Sequence, residues 1–254
     1  MLNVHLEWQE TIESAYSALD KDYRKFIENG DFIPSHSKIF NAFKTLAKSK
    51  VKYILFGQDP YPRELSATGY AFIDGAVERI FSDKGLSKEV NRATSLRNFV
   101  KMALVADRLL ECDDLSQEAI SKIDKSSLID SIDELRFNFE KNGVLLLNTA
   151  LIFENKKASN FHAKSWRPFM QVLLENLDEN VELILFGNLA KMIQKIPQSQ
   201  RFLHHEMEHP YNHTFILNQK AQKLFAPMQL LQKNRKSFKK VLKFQKKKCI
   251  IPVY

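Results

Sequence analysis

The 254 residues are enough for one large domain or two small ones, and 44% hydrophobic with 27% charged residues is an ordinary globular composition that can bury a core. No apolar run reaches the roughly 20 residues a membrane-spanning helix needs, and no signal peptide is visible after Met1. Cys112 and Cys249 lie far apart, which argues against a disulfide scaffold and fits a reducing compartment. The net charge of +8 is unevenly placed: residues 233–248 carry nine Lys or Arg and no acid, leaving −1 for the rest. Such a run reads either as a solvated tail or targeting signal, or as an arm attracted to nucleic-acid phosphates. The expected organisation is a domain over 1–232 and a basic extension over 233–254.

In chain order, Trp8, Ile12, Ala15, Leu19, Tyr23 and Phe26 recur at helical spacing and predict a helix over 7–29, ended by Asn29-Gly30-Asp31. Ser35 or Ser37 then offers a cap for a second helix through Ile39, Phe40, Phe43 and Leu46. Val51-Lys52-Tyr53-Ile54-Leu55-Phe56 reads as a buried strand, followed by a loop from Gly57 to about residue 75. Residues 76–142 have a charged, helical pattern with apolar Phe99, Met102, Val105, Leu109 and Leu110. Further strands are expected at 144–148, 181–187 and, more weakly, 201–207. Helices are expected from Ser165 or Trp166 through Leu177 and at about 188–195. Alternating strands and helices imply an α/β fold with a central parallel, mostly four-stranded twisted sheet, right-handed crossovers and helices on both faces.

Ligand sites in open α/β sheets lie beyond the carboxyl ends of the strands. That rule singles out Gly57-Gln58-Asp59-Pro60-Tyr61-Pro62, where a carboxylate stands on a stiff, sharply turned backbone. Asp59 taken alone reads first as an ordinary turn residue. His205, His209 and His213 share a spacing of four that could place metal ligands on one helical face. Pro210 interrupts any helix there, and no nearby carboxylate cluster or cysteine completes a site, so no metal is expected.

The whole hexapeptide resembles the signature of the family 1 uracil-DNA glycosylases, and the likeness continues along most of residues 30–232. Gly69-Tyr70-Ala71-Phe72 is similar to the family's uracil-stacking segment, and Thr94-Ser95-Leu96-Arg97-Asn98 to its Pro-Ser-Leu-x-Asn helix start. Gly143-Val144-Leu145-Leu146-Leu147-Asn148 resembles its Asn-bearing strand, and His209-Pro210 its His-Pro loop. Against that pattern, the stretch between the Phe and Asn motifs is long, which suggests an insertion within 103–132.

The resemblance implies an enzyme that flips uracil out of DNA and hydrolyses its N-glycosidic bond in base-excision repair. Asn148 would read the base edge, Phe72 would stack on it, and Tyr61 would fill the space of a thymine methyl. Asp59 would stabilise the sugar cation and handle the attacking water. His209 and the backbone N–H of Gln58 would bind uracil O2. No lysine stands at a motif position, so a monofunctional hydrolase without Schiff base, metal or cofactor is expected.

Several positions depart from the family pattern. Pro62 stands where His is usual, as in an Asp-Pro-Tyr-Pro similar to that of the poxvirus branch. Of the phosphate-pinching serines only Ser95 matches, with Asn188 and Tyr211 replacing others, and His213 stands in place of the Leu wedge. These departures keep open a DNA-binding or processivity protein with weak or no activity, and a glycosylase for another base. The partners implied are single- or double-stranded uracil-containing DNA, acted on by a monomer, and beyond it a protein inhibitor or replication partner. The expected location is the cytoplasm of a bacterium, or otherwise a nucleus or viral factory.

Overall fold

The computed structural model describes residues 3–233, excepting the side chains of Ala190 and Lys191; the basic stretch beyond 233 lies outside the described residues. Helices α1 (Gln9–Ser17) and α2 (Lys21–Asn29) lead into strand β1 (Tyr53–Gly57). A two-stranded hairpin of β2 (Phe81–Ser82) and β3 (Gly85–Leu86) precedes α3 (Lys88–Arg92), α4 (Thr94–Ala106), α5 (Gln117–Ser121) and α6 (Ile132–Lys141). The chain continues through β4 (Val144–Asn148), α7 (Ser159–Ser165), α8 (Arg167–Glu175), β5 (Glu182–Phe186), α9 (Leu189–Ile193), β6 (Leu203–Met207) and α10 (Gln219–Phe225).

Strands β1, β4, β5 and β6 form one parallel sheet in the order β4-β1-β5-β6, as the alternation of strands and helices predicted. Both faces are buried, as a parallel sheet requires. Ile54, Phe56, Leu145, Leu147, Leu183 and Leu185 point into one core layer with Trp8, Phe43, Trp166 and Phe169. The alternate residues Leu55, Val144, Leu146, Ile184 and Phe186 enter the opposite layer with Phe99, Phe139, Phe215 and Phe225. Among the described residues, no helix is long and apolar enough to cross a membrane.

Three local readings are corrected. The helix expected over 7–29 is split, because Asp20 accepts hydrogen bonds from the N–H groups of Asp22 and Tyr23 and so caps a new helix where the old one would continue. Its apolar period survives the break, since Leu19 and Tyr23 are still buried. The second helix, through 39–46, is instead a set of 3₁₀ turns, His36–Lys38, Asn41–Phe43 and Lys48–Lys50. Their apolar residues still face the sheet, which is what the spacing detected. Residues 76–142 begin with the hairpin rather than a helix. Gln117 of α5 holds that hairpin by accepting from the Leu86 N–H at 2.8 Å.

Trp8 anchors the amino-terminal layer. It is fully buried, its indole N–H donates to the Leu46 carbonyl at 2.7 Å, and its ring meets Phe43 edge-on at 5.1 Å. Trp8→Ala should therefore cost about 3–5 kcal/mol of stability. Urea unfolding should register it as a lower midpoint with an unchanged slope, and a loss below about 1 kcal/mol would contradict this packing.

Candidate active site

The site is assembled on the loops that leave the carboxyl ends of β1, β4, β5 and β6. The β1–β4 register sets Gly57 directly beside Asn148. A Cβ on Gly57 would fall 2.2 Å from Asn148 Oδ1 and 3.0 Å from the Ala71 Cβ, so only glycine lets the buried Asn148 amide lie against this strand end. Beyond the strands the pairing continues. Thr149 N–H donates to the Gly57 carbonyl at 2.9 Å, and Ala150 N–H to the Gln58 carbonyl at 3.1 Å. The Thr149 hydroxyl donates to the same Gln58 oxygen at 2.6 Å. The Gln58-Asp59 turn is thus stitched to the segment that follows Asn148. Gln58 is exposed and Asp59 half-buried, and Asp59 makes no side-chain hydrogen bond among the described residues.

The other end of the 57–75 loop is also fixed to β4, through Ala71 N–H donating to the Leu146 carbonyl at 3.1 Å. Phe72 follows with φ of 67°, a left-handed conformation that costs a bulky residue about 1–3 kcal/mol and tends to mark functional sites. Its half-buried ring packs edge-on against Phe99 at 4.9 Å and lies 6.5 Å from Phe186. Tyr61 is half-buried as a residue, yet its phenol sits in a desolvated environment. Burial first, and the Asp74 carboxylate second, push its pKa well above the ordinary tyrosine value, so the hydroxyl stays neutral.

His209 reaches the same rim from the loop after β6. Gly187, with φ of +58°, turns the chain after β5, and a Cβ there would meet the His209 Cβ at 3.1 Å. The His209 ring stands edge-on to Phe186 at 6.4 Å, so Phe186 neighbours both the Phe72 and His209 rings. The Tyr211 N–H donates to His209 Nδ1 at 3.0 Å, which leaves the neutral ring's proton on Nε2. His209 as a residue is exposed, but its surroundings desolvate the ring, and burial holds its pKa below the ordinary imidazole value. The three histidines at spacing four lie apart in structural terms. His205 is on β6, bound to Glu182, His209 is in the loop, and His213 opens a 3₁₀ turn.

Ser95 is half-buried in the first turn of α4, Asn188 is exposed just after Gly187, and Tyr211 and His213 are exposed beside His209. Asn98, to which the sequence reading gave no role, joins these elements. Its buried amide donates to the carbonyls of Pro210 (2.8 Å), Asn212 (3.2 Å) and Tyr211 (3.3 Å), tying α4 to the His209 loop. Its place within the Ser-Leu-x-Asn motif was the available signal. His162 was likewise missed. It is buried on α7, shares a 2.7 Å hydrogen bond with the Tyr23 hydroxyl and stays neutral because burial outweighs the nearby Glu154 and Asp59 carboxylates.

A parallel sheet whose carboxyl-end loops carry a carboxylate, a buried amide, an imidazole and aromatic rings defines an α/β protein with its polar side chains set at one rim. Comparison with known proteins identifies the kind. The chain belongs to the uracil DNA glycosylase superfamily, whose family model matches residues 43–249. A uracil-DNA glycosylase of Borreliella burgdorferi is 26% identical over 220 residues, spanning 82% of this chain and 84% of the relative. That of Exiguobacterium sibiricum is 28% identical over the same shares. The crystal structure of the wild-type UNG from Nitratifractor salsuginis is 50% identical, covers 91% of this chain and 94% of its own, and superposes with a TM-score of 0.89. Mimivirus uracil-DNA glycosylase, at 16% identity and a TM-score of 0.53, shares the fold.

The His209 tautomer is open to direct test. Nitrogen-15 spectra at pH 7.5 should place the ring proton on Nε2 and a bare Nδ1, and the ring should titrate below the usual value near 6.5. Because its folded pKa is depressed, His209 contributes stability above the unfolded pKa and loses it as pH falls through the folded one. An Nδ1–H tautomer would contradict the Tyr211 contact. Separately, Asn98→Ala takes a donor from three carbonyls, that of Pro210 buried, and should cost about 1–3 kcal/mol. Faster hydrogen exchange confined to residues 209–214 would mark the loosened loop, and unchanged exchange there would remove Asn98 from that role.

Proposed function

We propose that this chain excises uracil from DNA by hydrolysing the N-glycosidic bond, leaving an abasic site. The observation that carries the reading is the Gly57–Asn148 pairing, which puts a base-reading amide and the Gln58-Asp59 turn on adjacent strand ends. A base inside a duplex is unreachable, so the nucleotide is flipped out, at a cost of a few kcal/mol. In this reading the Asn148 amide donates to uracil O4 and accepts from N3–H, a pattern cytosine cannot match. A site that rejects by unpaired polar groups can discriminate by roughly 10⁴–10⁵. Phe72 stacks on the base. Tyr61, neutral and held between Pro60 and Pro62, fills the space of the thymine methyl, excluding it by a rigid clash.

Bond cleavage then proceeds by separation of charge. The C1′–N1 electron pair leaves with the base, giving a uracil anion and a sugar with cationic character. His209 Nε2–H and the Gln58 N–H donate to O2 as that oxygen gains charge. Asp59 stabilises the cation and orients the water, whose oxygen bonds to C1′ while one of its protons passes to the Asp59 carboxylate and then, through solvent, to the released uracil anion. Ser95, Asn188, Tyr211 and His213 serve the DNA strand around the flipped nucleotide, and the basic residues 233–248 act as a phosphate-attracting arm. An inhibitor protein is proposed as a further partner at this rim; a mimivirus UNG variant was solved in complex with UGI.

The direct test is incubation with an oligonucleotide containing one uracil, followed by alkali to break abasic sites. Strand scission at the uracil is expected, and intact product after prolonged incubation would sink the reading. Asp59→Asn should fold and bind DNA while slowing single-turnover cleavage by about 10²–10⁴-fold. Undiminished cleavage would remove Asp59 from its role. Asn148→Asp should admit cytosine and Tyr61→Ala thymine; wild-type selectivity in both would refute the pocket assignment.

A further inference from the structure

Two cavities of the described structure contrast in charge. The larger, about 590 Å³, lies by the amino ends of β1 and β5, where Lys52, Lys220 and Lys223 face Glu182 and Glu206. The smaller, about 390 Å³, opens between α7, α8 and α9, and its lining contains Lys164, Arg167 and Lys195 but no carboxylate. None of these three cations enters an ion pair with a carboxylate among the described residues. All three are exposed at the mouth, while Met170 and Ile193 are buried in the wall. The Arg167 guanidinium also donates to the Lys195 carbonyl, so one cation bridges the two sides. The pocket is continuous with the active rim through Thr149. That residue lines it and is the same one whose hydroxyl holds the Gln58 carbonyl beside Asp59.

We infer that this pocket seats a phosphodiester group of the DNA strand next to the flipped nucleotide; the inference rests on the DNA reading above. Three uncompensated cations against an apolar wall attract an anion more strongly than the same charges in open solvent. Guanidinium and ammonium donors suit phosphate oxygens, Arg by its planar fork and Lys as a mobile point charge. The wall of Met170 and Ile193 offers no hydrogen bonds, so a carboxylate or phosphate is held from the rim rather than recognised in depth. A phosphodiester arrives there as part of a strand already bound at the adjacent rim, whereas a free anion lacks that tether. With the chain outside 233–248 near neutral, local cation placement decides where phosphates rest.

The test is the salt dependence of DNA affinity, measured with the full chain on a uracil-free duplex. Each lost phosphate contact lowers the slope of log affinity against log salt by about 0.9. The double variant Lys164→Gln/Lys195→Gln, which removes the contact to that one phosphate, should lower it by about 0.9 and weaken binding by up to about tenfold at 100 mM salt. Its melting temperature should match that of the wild type. Lys220→Gln/Lys223→Gln removes the same charge at the larger cavity and should leave the slope unaltered. An unchanged slope in the first pair, or equal losses in both, overturns the inference. A wild type that binds DNA with the expected contrast but releases no uracil defeats the catalytic reading and leaves the pocket standing.

Discussion

The site depends on how closely two parallel strands approach at their carboxyl ends. Gly57 has no side chain, so the amide of Asn148 occupies the space a Cβ would take, and the backbone of the next residues continues the pairing past the sheet. That continuation is unusual in what it fixes. A loop carrying Gln58 and Asp59 would otherwise be free at its most polar point. Here the Thr149 hydroxyl and two backbone N–H groups hold its carbonyls. The Asp59 carboxylate, which makes no side-chain hydrogen bond among the described residues, is then carried on a stiff frame.

The second constraint is aromatic. Phe72, Phe99, Phe139, Phe186, Phe215 and Phe225 form one layer beneath the rim, and its members contact both the loop that ends at Phe72 and the His209 loop. The left-handed backbone at Phe72 is held by this packing and by the Ala71–Leu146 hydrogen bond. Asn98 adds the polar counterpart, spending one amide group on three carbonyls of the His209 loop. The imidazole is therefore positioned twice, by the ring beneath it and by the loop that carries it. Its desolvation and the Tyr211 N–H on Nδ1 act in the same direction, toward a neutral ring that donates through Nε2.

Much of this was legible in the residues. The strands at 144–148 and 182–186 follow from short, largely apolar runs broken only by Asn148 and Glu182 at their ends, and buried parallel strands leave little else for such runs to be. The hexapeptide that begins at the end of β1 pointed to the rim because it leaves a strand's carboxyl end, and its resemblance to a family signature, rather than its turn residues alone, marked it as a site. Less visible was the division at Asp20, where a single capping carboxylate overrides a continuous apolar period. The 3₁₀ turns before β1 bury the same residues an α-helix would, so spacing alone does not separate them. Asn98 and His162 were hidden for a different reason. Their importance lies in partners 112 and 139 residues away, and only the fold brings those together.

Gly57→Ala tests the central constraint most directly. The added methyl meets the far end of the Asn148 side chain, 2.2 Å away, rather than backbone, so the sheet can persist while the amide is displaced. The account predicts a folded protein, with melting close to wild type, whose single-turnover release of uracil from an oligonucleotide falls by at least about 10²-fold, the scale of a lost transition-state contact. A folded Gly57→Ala protein that releases uracil at the wild-type rate would contradict it.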